Sequence, residues 1–128
     1  MLLPDGVTRD TLSRESVTRA VEEMNISIRR LAVLVLMASV FHPMPLEAIT
    51  EAALDEHFAT HVKGMFWPIQ VSLPLLHPGA HIIPIADRTA IGKIYSGYLP
   101  YVMTKGAVAH LTKALAAELV VFQKSFAP

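Results

Sequence analysis

Seven consecutive apolar residues, Leu31-Ala32-Val33-Leu34-Val35-Leu36-Met37, constrain the fold of this chain more than any other feature. An alternating pattern would give a strand wet on one side. An unbroken run with β-branched members predicts a strand over 31–37 covered on both faces, as in parallel sheets. Even extended to Phe41 the run is interrupted by Ser39, and it falls short of the roughly 20 residues that a bilayer requires. Upstream, Val17, Ala20, Val21, Met24 and Ile28 recur at three- and four-residue steps. They predict a helix over 14–30, with Arg29-Arg30 at the end where the helix dipole favours cations.

Downstream, Thr50 is placed to cap a helix over 51–73, with Glu51 in its first turn and Ile49 able to staple onto Leu54. Leu54, Phe58, Val62, Met65, Phe66, Ile69 and Leu73 form its apolar stripe, and Pro68 within it should kink or divide the helix. His77-Pro78-Gly79 reads as a turn and 81–86 as a strand, although Pro84 removes a ladder donor from it. The last helix spans 101–122 with Val108, Leu111, Leu115, Leu119 and Phe122 inward. Met37, Met65, Met103 and Trp67 are read as packing residues. Helix, strand, helix, strand, helix means an α/β chain with parallel strands and right-handed crossovers. The expected architecture is a single domain over 1–128: part of a doubly wound, Rossmann-like sheet in an α/β/α three-layer arrangement.

With 128 residues, 52% of them apolar, the chain has the makings of one core-rich domain. Eleven residues of each charge sign cancel, which gives no attraction for nucleic acid or an anionic membrane. The absence of cysteine excludes disulfides and thiolate metal sites. Met1 to Gly6 has neither a basic stretch nor a long apolar core, so the expectation is a soluble, cytoplasmic protein.

The chemistry concentrates in Tyr101-Val102-Met103-Thr104-Lys105, where a phenol and an ammonium stand at i and i+4 on one helix face. A neighbouring cation favours phenolate and would lower a tyrosine pKa from about 10, giving a usable proton-transfer pair. His57 and His61 also share a face at i, i+4. Phe58-Ala59-Thr60 between them lacks the Glu of a His-Glu-x-x-His site, so no metal is expected.

The segment from Tyr101 through Leu111-Thr112-Lys113-Ala114-Leu115-Ala116-Ala117-Glu118-Leu119 resembles the active-site helix of the short-chain dehydrogenase/reductase family. Leu54 through His61-Val62-Lys63-Gly64 resembles that family's helix carrying Asn-Val-x-Gly. Leu73-Pro74-Leu75-Leu76 with Gly79 through Ile83 resembles the next loop and strand. The 31–41 stretch resembles the strand before Asn-Asn-Ala-Gly. The resemblance covers nearly all of this chain and about half of the family's usual length. It implies hydride transfer between NAD or NADP and a carbonyl or alcohol, with Tyr101 as general acid/base. Lys105 would lower the tyrosine pKa, and both residues would touch the cofactor. It also implies a homo-oligomer formed through the helices 51–73 and 101–122.

Several positions depart from the family pattern. Leu36-Met37-Ala38-Ser39 stands where the family has Asn-Asn-Ala-Gly, His61 where it has the tetrad Asn, and Asp87 where it has the catalytic Ser. Thr89 supplies a hydroxyl if the loop shifts by two residues. The six glycines, Gly6, Gly64, Gly79, Gly92, Gly97 and Gly106, are scattered and form no phosphate-binding turn. An ionised Asp can only accept hydrogen bonds and repels the charge that develops on a carbonyl oxygen. The sequence therefore predicts an impaired oxidoreductase site. The alternative is a non-catalytic remnant that serves as an interaction or dimerisation module.

Overall fold

The structure is a computed structural model that describes residues 13–27 and 30–125. Helix α1 (Arg14–Ser27) precedes strand β1 (Leu31–Leu36). Helices α2 (Glu51–His57) and α3 (Gly64–Ser72) follow, joined by a wider π-type turn, Phe58–Lys63. Strand β2 (Leu76–Pro84), a 3-10 turn (Arg88–Ala90) and the long helix α4 (Leu99–Ser125) complete the order. Ile28 and the side chains of Met24 and Phe122 lie outside this description. Among the described residues, no helix is long and apolar enough to cross a membrane.

β1 and β2 pair in parallel, Val33 against His81, Leu34 against Ile82, Val35 against Ile83 and Leu36 against Pro84. The helical crossover between them gives the α/β class expected from the alternation. β2 begins five residues earlier than the 81–86 reading. The predicted turn at His77-Pro78-Gly79 is an irregularity within the strand: β1 advances from Leu31 to Val33 while β2 advances from Leu76 to His81. Gly79 absorbs it at a φ of 85°, a backbone state that side-chain-bearing residues resist. Pro84 costs the ladder nothing. The Ile85 N–H donates to the Leu36 carbonyl at 2.8 Å, so the missing Pro84 donor belongs to the opposite, open edge.

Pro68 does not divide the 51–73 helix but sits inside α3, and the irregularity falls one turn earlier, at Phe58–Lys63. A proline ring crowds the carbonyl four residues back. That carbonyl is Gly64, where regular winding resumes. Thr50 caps α2 as expected, its hydroxyl accepting the Ala53 N–H at 3.2 Å. α4 starts two residues before the predicted boundary, because Pro100 lies in its first turn, where no intrahelical N–H bond is needed.

Leu36, Met65, Ile69 and Val108 form the core, with Leu34, Ile82, Leu111 and Leu115 packed against it. β1 is not covered on both sides. Leu34 and Leu36 turn inward, whereas Val33 and Val35 are each 48% exposed and Ile83 on β2 is 44% exposed. The unbroken apolar run therefore belongs to a strand with one face packed and one face bare. Met37 and Met103 are likewise exposed, not core.

Ile69→Ala should lower unfolding free energy by about 2–5 kcal/mol in urea denaturation. Ile91→Ala, at a position 87% exposed, should change it by no more than about 0.5 kcal/mol.

Candidate active site

α4 carries Tyr101 and, one turn later, Lys105 on its inward face, and both are buried. Opposite them the chain leaves β2 at Ile85 and enters the 3-10 turn. Asp87 caps that turn, one carboxylate oxygen accepting the Thr89 N–H at 2.8 Å. Capping aims the other oxygen at α4, and the Tyr101 hydroxyl donates to it at 2.9 Å. The Lys105 ammonium donates to the Ile85 carbonyl at 3.0 Å, and its nitrogen lies 5.7 Å from the centre of the Tyr101 ring.

This arrangement reverses the electrostatics expected of the pair. Burial and the Asp87 carboxylate push the Tyr101 pKa up to about 12. A phenol that donates to a carboxylate loses that bond on ionisation and gains a like-charged neighbour. The Asp87 carboxyl is held below its usual range, first by the Thr89 N–H and also by the Tyr101 hydroxyl and Arg88. Burial lowers the Lys105 pKa, and the negative charge of Asp87 opposes that shift. Thr89 is buried and its hydroxyl has no hydrogen-bond partner among the described residues. Asp87, not Thr89, meets the phenol.

His61 sits fully buried in the π-type turn. The Val40 N–H donates to its Nε2 at 3.1 Å, where the Ser39 hydroxyl also approaches at 3.1 Å. Nδ1 is therefore the protonated nitrogen, and it donates to the Thr104 hydroxyl at 2.6 Å. Thr104 in turn donates to the Pro100 carbonyl at 2.7 Å. His61 is thus a brace between the exit of β1 and the first turn of α4, and its ring meets the Tyr101 ring edge-on with centroids 5.5 Å apart. Desolvation, then the nearby Lys105 and His57, push its pKa down to about 4. His57 is also fully buried and turns Nδ1 to its own helix, donating to the Ala53 carbonyl at 2.8 Å. Sequence reasoning missed Thr104, Ser39 and Val40. Thr104 alone carried a signal, three residues from Tyr101 on the same helix face.

The approach to Tyr101 is walled by aromatic rings. Phe41 stacks on Tyr98 with centroids 4.3 Å apart and planes 10° apart, and meets Tyr101 edge-on at 4.7 Å. A bridge from Met44 to Tyr98 joins the two loops, the Met44 N–H donating to the Gly97 carbonyl at 2.7 Å.

These residues do not fit a nicotinamide dinucleotide as they stand. Lys105 is 2% exposed with its ammonium turned to a carbonyl, and the Tyr101 hydroxyl is engaged as a hydrogen-bond donor to Asp87.

Residues 5–123 match the family described as short chain dehydrogenase. Glucose and ribitol dehydrogenase homolog 2 of Arabidopsis thaliana is 33% identical over 116 residues, which are 91% of this chain and 40% of that protein. A dehydrogenase/reductase structure from Sinorhizobium meliloti 1021 superimposes with a TM-score of 0.80 at 33% identity, over 86% of this chain and 44% of its own. A short-chain dehydrogenase/reductase from Serratia marcescens gives a TM-score of 0.81 at 26% identity, over 93% of this chain and 56% of its own. The chain thus spans roughly half the length of the proteins it matches.

His61 makes stability depend on pH in a defined window. Its folded pKa lies below the ordinary 6.5, so between about 6.5 and 4 the unfolded chain binds the extra proton. The His61 contribution to stability should be constant above about pH 6.5 and fall by about 3 kcal/mol on acidification to about pH 4. Urea midpoints across this range should show the fall, and His61→Asn should flatten it. The Asp87 contribution is lost only at lower pH, because its depressed value lies under 3.8.

Proposed function

This chain belongs to the short-chain dehydrogenase family, and from that premise we propose that it is an oxidoreductase-type unit whose proton-transfer site is silenced by Asp87. The observation that carries the reading is the hydrogen bond from Tyr101 to the Asp87 carboxylate at 2.9 Å. Reduction of a carbonyl needs a proton delivered to the oxygen as negative charge develops there, and a second donor to stabilise that charge. Here the phenol donates away from any incoming carbonyl, and the second position holds an acceptor instead of a donor. Burial first, and then the Asp87 carboxylate, hold the tyrosine pKa above its ordinary value, while the Lys105 ammonium is turned to the Ile85 carbonyl. NAD or NADP would supply the hydride in the ancestral carbonyl/alcohol reaction, but binding by this chain is impaired by the engaged Lys105.

The test separates the electrostatics from turnover. The Tyr101 ionisation is read as the ultraviolet difference between each protein and its Tyr101→Phe counterpart. It should lie near 12 in the natural chain and move toward about 10 in Asp87→Ser. Titration with NADH and NADPH, followed by Trp67 fluorescence, should give no saturable change at millimolar cofactor. Carbonyl reduction by the natural chain at about 1 per second or faster would overturn the proposal.

The alternative role, a dimerisation module, is supported by a mostly apolar cavity of about 210 Å³ between α3 and α4, lined by Phe66, Ile69, Leu73, Leu115 and Leu119 together with Gln70 and Glu118. Such an apolar groove on two adjacent helices suits self-complementary packing across a two-fold axis. Sedimentation should show a dimer that Leu119→Asp dissociates; a monomer at all concentrations would reject this role.

A further inference from the structure

One basic lone pair in the interior is left unused by the fold. His57 is fully buried, and its Nδ1 N–H donates to the Ala53 carbonyl at 2.8 Å. That bond fixes the tautomer and leaves Nε2 as a bare acceptor. Nε2 is buried as well and has no hydrogen-bond partner among the described residues. A buried acceptor left unmatched costs free energy, and the Tyr101–Asp87 cluster does not draw on it. An imidazole held through one nitrogen by a backbone carbonyl, with the other nitrogen bare, is the arrangement in which histidine ligates metal ions.

Two further imidazoles flank His57. The ring centre of His61 lies 5.7 Å away and that of His42 6.1 Å away. His61 offers no ligand, because the Val40 N–H occupies its Nε2 and its Nδ1 serves Thr104. His42 differs. It is exposed on the loop after β1, so its ring can turn without disturbing the core, and its plane stands at 85° to that of His57. An ion about 2.0 Å from an imidazole nitrogen lies about 3.2 Å from the centre of that ring, so two rings can share one ion when their centres are at most about 6.4 Å apart. At 6.1 Å the pair is inside that limit. Tetrahedral geometry needs the centres about 1 Å closer, a shift within the reach of an exposed loop side chain.

We propose that His42 and His57 bind a divalent cation of the zinc class, His57 through Nε2. Imidazole suits zinc, copper and nickel, whereas calcium and magnesium prefer oxygen ligands. No third His, Cys, Asp or Glu converges with the pair among the described residues, so water completes the coordination shell and those positions stay exchangeable. The ion ties the loop after β1 to the end of α2. Phe41, next to His42, is the ring that stacks on Tyr98 and meets Tyr101, so a loaded pair steadies the aromatic wall of the site. The inference does not rest on the silencing by Asp87, and its readouts involve no turnover.

The probe is zinc chloride, added to the full, untagged 128-residue chain at a pH where imidazole is neutral. Calorimetry should give one site per chain, and the thermal midpoint should rise with zinc concentration. His42→Ala, which removes an exposed side chain, should weaken zinc binding at least about tenfold and abolish the rise. His57→Gln should do the same; should that variant unfold, His42→Ala decides the matter. The double variant His77→Ala with His81→Ala should bind zinc as the natural chain does. No binding at millimolar zinc would overturn the proposal. So would binding that survives His42→Ala, or binding that the double variant at 77 and 81 removes.

Discussion

The buried imidazole of His61 is the tie on which the geometry of the site depends. Through Val40 on one side and Thr104 on the other, it joins the exit of β1, the π-type turn and the first turn of α4. These segments are far apart in sequence and share no backbone ladder. A neutral ring with one donor and one acceptor nitrogen satisfies a backbone N–H and a hydroxyl at once, at a depth where either group alone would be costly to leave unpaired. The π-type turn matters here, because its wider winding sets the direction in which His61 projects.

Electrostatics at the other end of the site turns on a single carboxylate. A hydroxyl in place of Asp87 would be donor as well as acceptor and would carry no charge to hold the phenol. The carboxylate instead takes two donors, the Thr89 N–H and the Tyr101 O–H. Its capping duty and its grip on Tyr101 reinforce each other, since the Thr89 bond keeps it ionised and ionisation strengthens the phenol bond. The same two helical positions that would make an acid/base pair beside a serine make a closed hydrogen-bonded cluster beside an aspartate.

Much of this was legible in the residues, and the exceptions share a cause. The order of helices and strands, the Thr50 cap and the shared face of Tyr101 and Lys105 are local properties, so periodicity and spacing reach them. The replacement of a donor by Asp87 was also visible as a change of chemistry at one position. Its consequence for the tyrosine was not, because the direction of the pKa shift depends on which group the phenol meets across the fold. The uncovered face of β1 escaped for a similar reason: the apolar run reports what a strand can bury, not what covers it. The Pro84 reading left open which edge loses its donor, because the ladder uses alternate N–H groups, and sequence does not say which set faces the neighbour. The brace by His61 and Thr104 spans 43 positions and left no local trace beyond the polarity of the two residues.

Asp87 also answers a stability problem that the site would otherwise have. Lys105 is 2% exposed and has one carbonyl as its hydrogen-bond partner, an arrangement in which burial lowers its pKa and disfavours the charged form. The nearby carboxylate is the largest influence working the other way, so Asp87 supports the ammonium while it holds the phenol. Replacing Asp87 by serine would take from Lys105 the charge that opposes the effect of its burial, and from Tyr101 the carboxylate acceptor of its hydroxyl, so the one side chain supports both members of the pair.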